Sequence, residues 1–319
     1  MRQGFGILVA LLLSLPAAAG VRPLGSKDVG ATQSAALFVG IRDFADSGRL
    51  TQVRYAVDDA VDLAYELAIG QSRPLVPPER VVLALSPGEP RKQDSRRRLR
   101  ELLAAGARRR PAEQAEILRL IGQQARLVGV DGILIVHFAT HGVAEGGAQQ
   151  LLARGSDLDR PETMIAVSTI NQIVSASDVA RSLILIDACR ENLRRDRRAG
   201  VPDARSKAAF VRVTTGVEGQ VIITGAARGG YAYDDEVRHN GVFTATIIDG
   251  LRCAARKDAH GFVTVDGLYD YVAREVLRWV QKNKNRRARS ATQLSCDGQT
   301  KRMPLSICGL GRTASAASE

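Results

Sequence analysis

Apolar residues in this chain gather into short unbroken runs, with stretches of helical periodicity between them. The runs lie in SAALFVGI (34–41), VVLAL (81–85), DGILIVHFATHG (131–142), SLILIDACREN (182–192) and GQVIITGA (219–226), and none alternates with a period of two. Strands buried on both faces read this way. In 55–70, Val57, Val61, Ala64 and Leu67 recur at helical spacing and Gly70 marks the stop. Further helices are predicted over 94–105, over 111–126 with Pro111 in the first turn, near 170–176, from 240–251, and over 261–280 with a cap at Asp266 after a short strand. The polar stretch 143–168 reads as a loop with a hairpin. Buried strands alternating with helices predict an α/β fold, with a mainly parallel sheet sandwiched by helices.

The two ends stand apart from this pattern. Arg2, the apolar run Phe5–Leu15, Pro16 and the small-residue site Ala17-Ala18-Ala19 read as a signal peptide over 1–19, with cleavage expected after about Ala19. The run is too short to span a bilayer; an uncleaved anchor is the alternative. A polar linker (20–33) leads into a domain over 34–308, and the small polar residues of 309–319 predict a disordered tail. The expected destination is extracytoplasmic, periplasmic or secreted, with no transmembrane segment after signal removal.

Composition changes this picture little. The chain of 319 residues is 45% hydrophobic and 25% charged, ordinary for a globular protein, and with 4% aromatics its core rests on Val, Ile, Leu and Ala. The net charge of +11 sits in arginine clusters at 96–100, 108–110, 194–198 and 286–289. No aromatic stacking pattern accompanies them, so solvated faces and loops are expected, and nucleic acid is not. Cys189, Cys253, Cys296 and Cys308 are too few for a disulfide scaffold and lack zinc-ligand spacing. If one is catalytic, one disulfide is expected, with Cys296–Cys308 the favoured pair by proximity and Cys253 a rival for either partner.

Ligands of an open parallel sheet bind at the carboxyl ends of its strands. Two predicted strands end in residues suited to nucleophilic chemistry, His141 and Cys189. A thiol becomes a good nucleophile when an imidazole favours its thiolate. Gly142 allows close backbone approach, so that its N–H joins that of Cys189 as an oxyanion donor. His137, four residues before His141, would suit a metal pair on a helix; on a strand it reads as a packed or hydrogen-bonded side chain. His239 and His260 fall in polar loops and read as surface residues.

His141 precedes Cys189 by 48 residues, and the local string is D-A-C-R-E. The caspase signature is Q-A-C-[RQG]-G with its histidine about 50 residues upstream; the match is A-C-R, with both flanks departing. Together with ALFVGI and the following DDA (58–60), THG (140–142), DACREN (187–192) and GVFT (241–244), the chain resembles the caspase-like cysteine peptidase family, in its bacterial metacaspase/orthocaspase branch, over about residues 34–280. The resemblance implies a mostly parallel six-stranded sheet flanked by helices. It divides the domain into a large half (about 34–193), a basic linker (about 194–207) and a small half (about 208–308), and it implies a Cys189–His141 dyad.

Metacaspases cut after Arg or Lys. The resemblance assigns the acidic substrate-binding residues to Asp187 and Asp59, with Asp58 a weaker alternative to Asp59; two carboxylates suit a guanidinium. The arginines of 191–207 then become candidate self-cleavage sites, against an uncut basic loop. Protein or peptide substrates with basic P1 residues are expected. No cofactor or metal is called for: Asp234, Asp235, Glu236, Asp157 and Asp159 are oxygen ligands at irregular spacing, and calcium is unsupported. The competing readings are a catalytically silent binding module and a basic protein that binds anionic surfaces.

Overall fold

Five apolar runs become the parallel strands at the centre of one sheet. The computed structural model describes residues 33–45, 50, 52–86, 88–145, 148–188, 219–226, 232–284, 286–288 and 292–308. The expected leader, Cys189, the basic linker (194–207) and the tail lie outside the described residues.

In chain order the elements are β1 (Ala35–Ile41), α1 (Ala56–Tyr65), β2 (Val81–Ser86), α2 (Gln93–Ala104), β3 (Arg108–Arg110), α3 (Gln114–Leu127) and β4 (Leu134–Ala139). There follow β5 (Gly142–Glu145), β6 (Ala148–Leu151), β7 (Ile165–Ala166), α4 (Val167–Ser175), β8 (Ser182–Asp187) and β9 (Gln220–Thr224). The last part holds β10 (Asp234–Asp235), β11 (Asn240–Gly241), α5 (Val242–Asp249), β12 (Phe262–Thr264), α6 (Val265–Asn283), β13 (Gln293–Ser295) and β14 (Pro304–Ile307).

The main sheet has seven strands in the order β13-β9-β8-β4-β1-β2-β3, parallel except for antiparallel β13. That is one more than the six the resemblance implied. The edge strands, Arg108–Arg110 and Gln293–Ser295, are short and lack an apolar run, so the hydrophobic pattern does not announce them. The exposed arginines of β3 are strand rather than loop.

Side chains alternate between two cores, as the pleat requires. Phe38, Ile135, Leu183 and Leu185 face α1, α2, α5 and α6; Leu37, Val136, Phe138, Ile184 and Ile186 face α3 and α4. Asp187 follows the parity of Leu183 and Leu185, which turns it toward the first layer. The chain runs outward from β1 through β2 to β3, then returns to β4 on the other flank of β1 and continues to β8 and β9. This switch point between β1 and β4 opens a crevice at the carboxyl ends of the strands. At Gly40, a Cβ would lie 2.6 Å from the Ala56 carbonyl oxygen. Glycine there lets the first turn of α1, with Asp58 and Asp59, settle against the end of β1.

Three local expectations are corrected. The last long helix is capped by Thr264, whose Oγ1 accepts from the Gly267 N–H at 3.3 Å, because Asp266 already lies inside its first turn. Pro111 lies in the connection before α3, which starts at Gln114. The disulfide joins Cys253 to Cys308, not Cys296 to Cys308. β14 pairs with β12, and Ser306 Oγ donates to the Leu251 carbonyl at 2.8 Å, so Cys308 is drawn to the turn after α5. Cys296 is a half-buried free thiol, and burial raises its pKa.

Candidate active site

Two acids from distant parts of the chain meet at the carboxyl end of the sheet. Asp187 ends β8, is 5% exposed, and accepts from Thr244 Oγ1 at 2.7 Å and from the Thr244 N–H at 3.2 Å. Asp59, in the first turn of α1, is 2% exposed. It accepts from Asn240 Nδ2 at 2.8 Å and from the Gly241 N–H at 2.9 Å. Gly241 lies between the two: a Cβ on it would sit 2.5 Å from Asp187 Oδ2 and 3.0 Å from Asp59 Oδ2.

Both carboxylates are held by neutral donors, and among the described residues neither has an ion pair. Burial, then the charge on Asp187, push the Asp59 pKa well above the carboxylate range, against its bonds from Asn240 and Gly241. Burial raises the Asp187 pKa to about 6; the Thr244 bonds oppose this and the charge on Asp234 adds to it. A buried, mutually repelling pair without a counter-ion is unfavourable for folding, and such arrangements concentrate at functional sites.

Asp58 and Asp62, on the same helix, have structural partners instead. Asp58 accepts from the N–H groups of Arg91 and Lys92 at 3.0 and 2.8 Å, which fixes the entry to α2. Asp62 binds Lys92 Nζ at 2.5 Å, Arg98 at 2.8 Å and Ser95 Oγ at 2.7 Å. Lys92 Nζ also donates to Asn240 Oδ1 at 2.5 Å, so Asn240 passes the anchorage of this ionic cluster on to Asp59.

His141 stands two residues beyond β4, half-buried, with its ring 5.1 Å from that of Phe44. The turn is fastened from both sides. Thr140 N–H donates to the Asp187 carbonyl at 3.2 Å and Thr140 Oγ1 to the Leu152 carbonyl at 2.7 Å. Leu152 N–H donates to the His141 carbonyl at 2.9 Å, which makes Gly142↔Leu151 a non-hydrogen-bonded pair of the β5–β6 ladder. The Gly142 N–H is therefore aimed away from β6, toward the outer edge of the hairpin. Ala188, before Cys189, is buried.

His137 is buried, and its Nε2 lies 3.3 Å from Thr244 Oγ1. With Asp187 ionised, Thr244 Oγ1 donates to it and can accept from Nε2 when that nitrogen carries the hydrogen. Burial lowers the pKa of His137 to about 3, so the ring is neutral. His239 and His260 are exposed.

The acidic knot at 234–236 divides its tasks. Asp235 Oδ1 accepts from the N–H of Val237 at 2.9 Å and holds its own turn. Glu236 binds Arg54 at 2.6 Å and Tyr55 OH at 2.8 Å. Asp234 faces the acid pair. The sequence gives Asn240 and Thr244 no role of their own, although GVFT (241–244) carries part of the resemblance, and it offers Asp234 only as an oxygen ligand at irregular spacing.

The profile of the caspase domain family matches residues 33–308, and the chain belongs to that family. Caspase-1 from Spodoptera frugiperda has the same fold, with 15% identity, TM-score 0.54, and 88% of this chain and 92% of that one covered. The protein GSU0716 from Geobacter sulfurreducens matches at 14% identity, TM-score 0.51, over 86% of this chain and 99% of that one. Among curated proteins, no sequence matches the chain.

Proposed function

We propose that this protein is an exported cysteine endopeptidase that cleaves after Arg or Lys, with Cys189 as nucleophile and His141 as its proton-transfer partner. Family membership supports peptide-bond hydrolysis; the buried Asp59–Asp187 pair, which has no counter-ion among the described residues, carries the reading of a basic P1 residue. A guanidinium or ammonium entering the pocket supplies the missing charge, and in a buried site such a charge-assisted bond is worth more than at the surface.

The register supports the dyad. β4 and β8 pair in parallel from Leu134↔Ser182 to Ala139↔Asp187, each with the same offset of 48 residues that separates His141 from Cys189. In the reaction, His141 takes the Cys189 thiol proton, the thiolate adds to the P1 carbonyl carbon, and the oxyanion is held by the N–H groups of Gly142 and Cys189. Collapse breaks the C–N bond, and the leaving amine receives the proton from His141. Water, deprotonated by His141, then hydrolyses the thioester and restores the thiol.

Export is supported by the Cys253–Cys308 bond, since disulfides persist in oxidising compartments. Among the described residues no helix is long and apolar enough to cross a membrane. Self-cleavage at the arginines of 191–207 follows from the same specificity. An uncut wild-type band, identical to that of Cys189→Ala on a gel, would refute it.

The test is turnover of fluorogenic peptides ending in Arg, Lys or Asp, with and without calcium, beside Cys189→Ala. Cys189-dependent cleavage after Arg and Lys is expected. Cleavage only after Asp overturns the pocket, and no Cys189-dependent turnover overturns the enzyme.

A further inference from the structure

The P1 pocket needs two carboxylates for one cation, yet the fold brings a third. Asp234 lies on β10, opposite Gly241 on β11. The Val242 N–H bonds to the Tyr233 carbonyl at 2.8 Å, which makes Asp234↔Gly241 a non-hydrogen-bonded pair, the closer kind. Directly opposed residues of an antiparallel pair project from the same face, with Cβ atoms about 5 Å apart. The direction of Gly241's absent Cβ is known: it points at the oxygens of Asp187 and Asp59. Asp234 therefore projects from the hairpin on the side of the acid pair.

Its surroundings differ from those of the other two. Asp59 and Asp187 are fully buried and held by hydrogen bonds from Asn240, Gly241 and Thr244, whereas Asp234 is half-buried at the rim. Among the described residues no donor binds its carboxylate. The cations among the described residues that act on it, Arg54, Arg91 and Lys284, are outweighed by burial and by the charge on Glu236; Arg54 is engaged by Glu236, and Arg91 by Gln52 at 2.6 Å. The hairpin that carries it is held rigidly by the Glu236 bonds and by His239, whose ring stacks on Tyr55 at 5.4 Å. A partly desolvated carboxylate beside two other carboxyl groups, with no donor among the described residues, is placed to meet a cation from outside.

We propose, on the basis of the P1 reading above, that Asp234 is a specificity-determining residue that receives a second positive charge of the substrate. The side chain that carries this charge belongs to one of the residues just before P1, so the site selects segments with two basic residues ahead of the scissile bond. The deep pair takes the P1 cation, and the rim acid takes its neighbour.

The experiment compares kcat/KM for peptides with Arg at P1 and either Arg or Ala at P2, and likewise at P3, in wild type, Asp234→Asn and Asp234→Glu. Asp234→Asn removes an unbalanced charge and is expected to fold; circular dichroism checks this. Wild type should prefer one of the doubly basic peptides about tenfold, the range of one charge-assisted bond. That ratio should fall to about one in Asp234→Asn and recover in part in Asp234→Glu. Absence of the preference in wild type, or its survival in Asp234→Asn, overturns the assignment. No cleavage after any basic P1 residue is a separate result, which overturns the pocket itself and this role with it.

Discussion

Gly241 lies so close to Asp187 that a Cβ in its place would sit 2.5 Å from the carboxylate oxygen Oδ2. Its backbone, at φ −59° and ψ 136°, is open to any residue, so glycine is required here for space and not for conformation. Gly241→Ala should push Asp187 and Asp59 apart, at a cost of about 1–3 kcal/mol in stability. Turnover of Arg peptides should fall about tenfold or more. Urea unfolding and kcat/KM, measured together, check this; wild-type values in both contradict the packing described.

Asp187→Asn keeps the size of the side chain and removes its charge. Cleavage after Arg should drop by about a hundredfold, as when one member of a buried charge pair is lost. Active-site labelling of Cys189 by an iodoacetamide probe should persist. Loss of labelling along with turnover would mean that Asp187 supports the nucleophile rather than the substrate.

The same acids set a pH dependence in which activity and stability run oppositely. The folded-state pKa values of Asp187 and Asp234 are raised from 3.8 to about 6. Their contribution to stability is therefore present at acid pH, below the ordinary carboxylate range, and is lost as pH rises through about 6. Binding of a basic P1 residue needs the ionised form, so turnover should increase through that same interval. Melting temperatures and kcat/KM across it provide the check, and Asp187→Asn should flatten much of both trends.

Lys92, with Arg98 one of two cations on Asp62, is the one that also steadies Asn240 and, through it, Asp59. Lys92→Met leaves Asp62 with Arg98 as its remaining ionic partner and should cost about 3 kcal/mol, the lower range for breaking a buried pair. A denaturation midpoint equal to that of wild type would contradict this.

Reduction should also be felt. The Cys253–Cys308 bond closes a loop with a sequence separation of 55, worth about 4 kcal/mol by the chain-entropy relation. Cys253→Ser should lose about that much stability, and peptide mapping under non-reducing conditions should recover Cys253 linked to Cys308, with Cys296 alkylated.

The central strands were legible because burial on both faces leaves a continuous apolar run, as in ILIV and LILI. That Asp59 and Asp187 come together was legible only through resemblance. No periodicity tells that Asp58 holds a loop, that Asp62 anchors a lysine, and that Asp59 alone of the three meets Gly241 beside Asp187. That division depends on donors at positions 91, 92 and 240, which arrive from elsewhere in the chain. The disulfide depends on distant contacts in the same way: proximity in sequence favours Cys296, while strand pairing brings Cys308 to Cys253, the rival the sequence left open. β3 and β13 escaped notice because edge strands need only one neighbour and little apolar surface.

The arginines of β3 bear on how the chain behaves when crowded. Its outer side is a row of main-chain donors and acceptors onto which another extended chain could zip. A second copy aligned there would have to bring its own Arg108, Arg109 and Arg110 to within about 5 Å, strand spacing, of the first three. Arg108 and Arg110 share one face of the strand, so two copies would set like charges against each other there, which disfavours growth of the sheet from this edge.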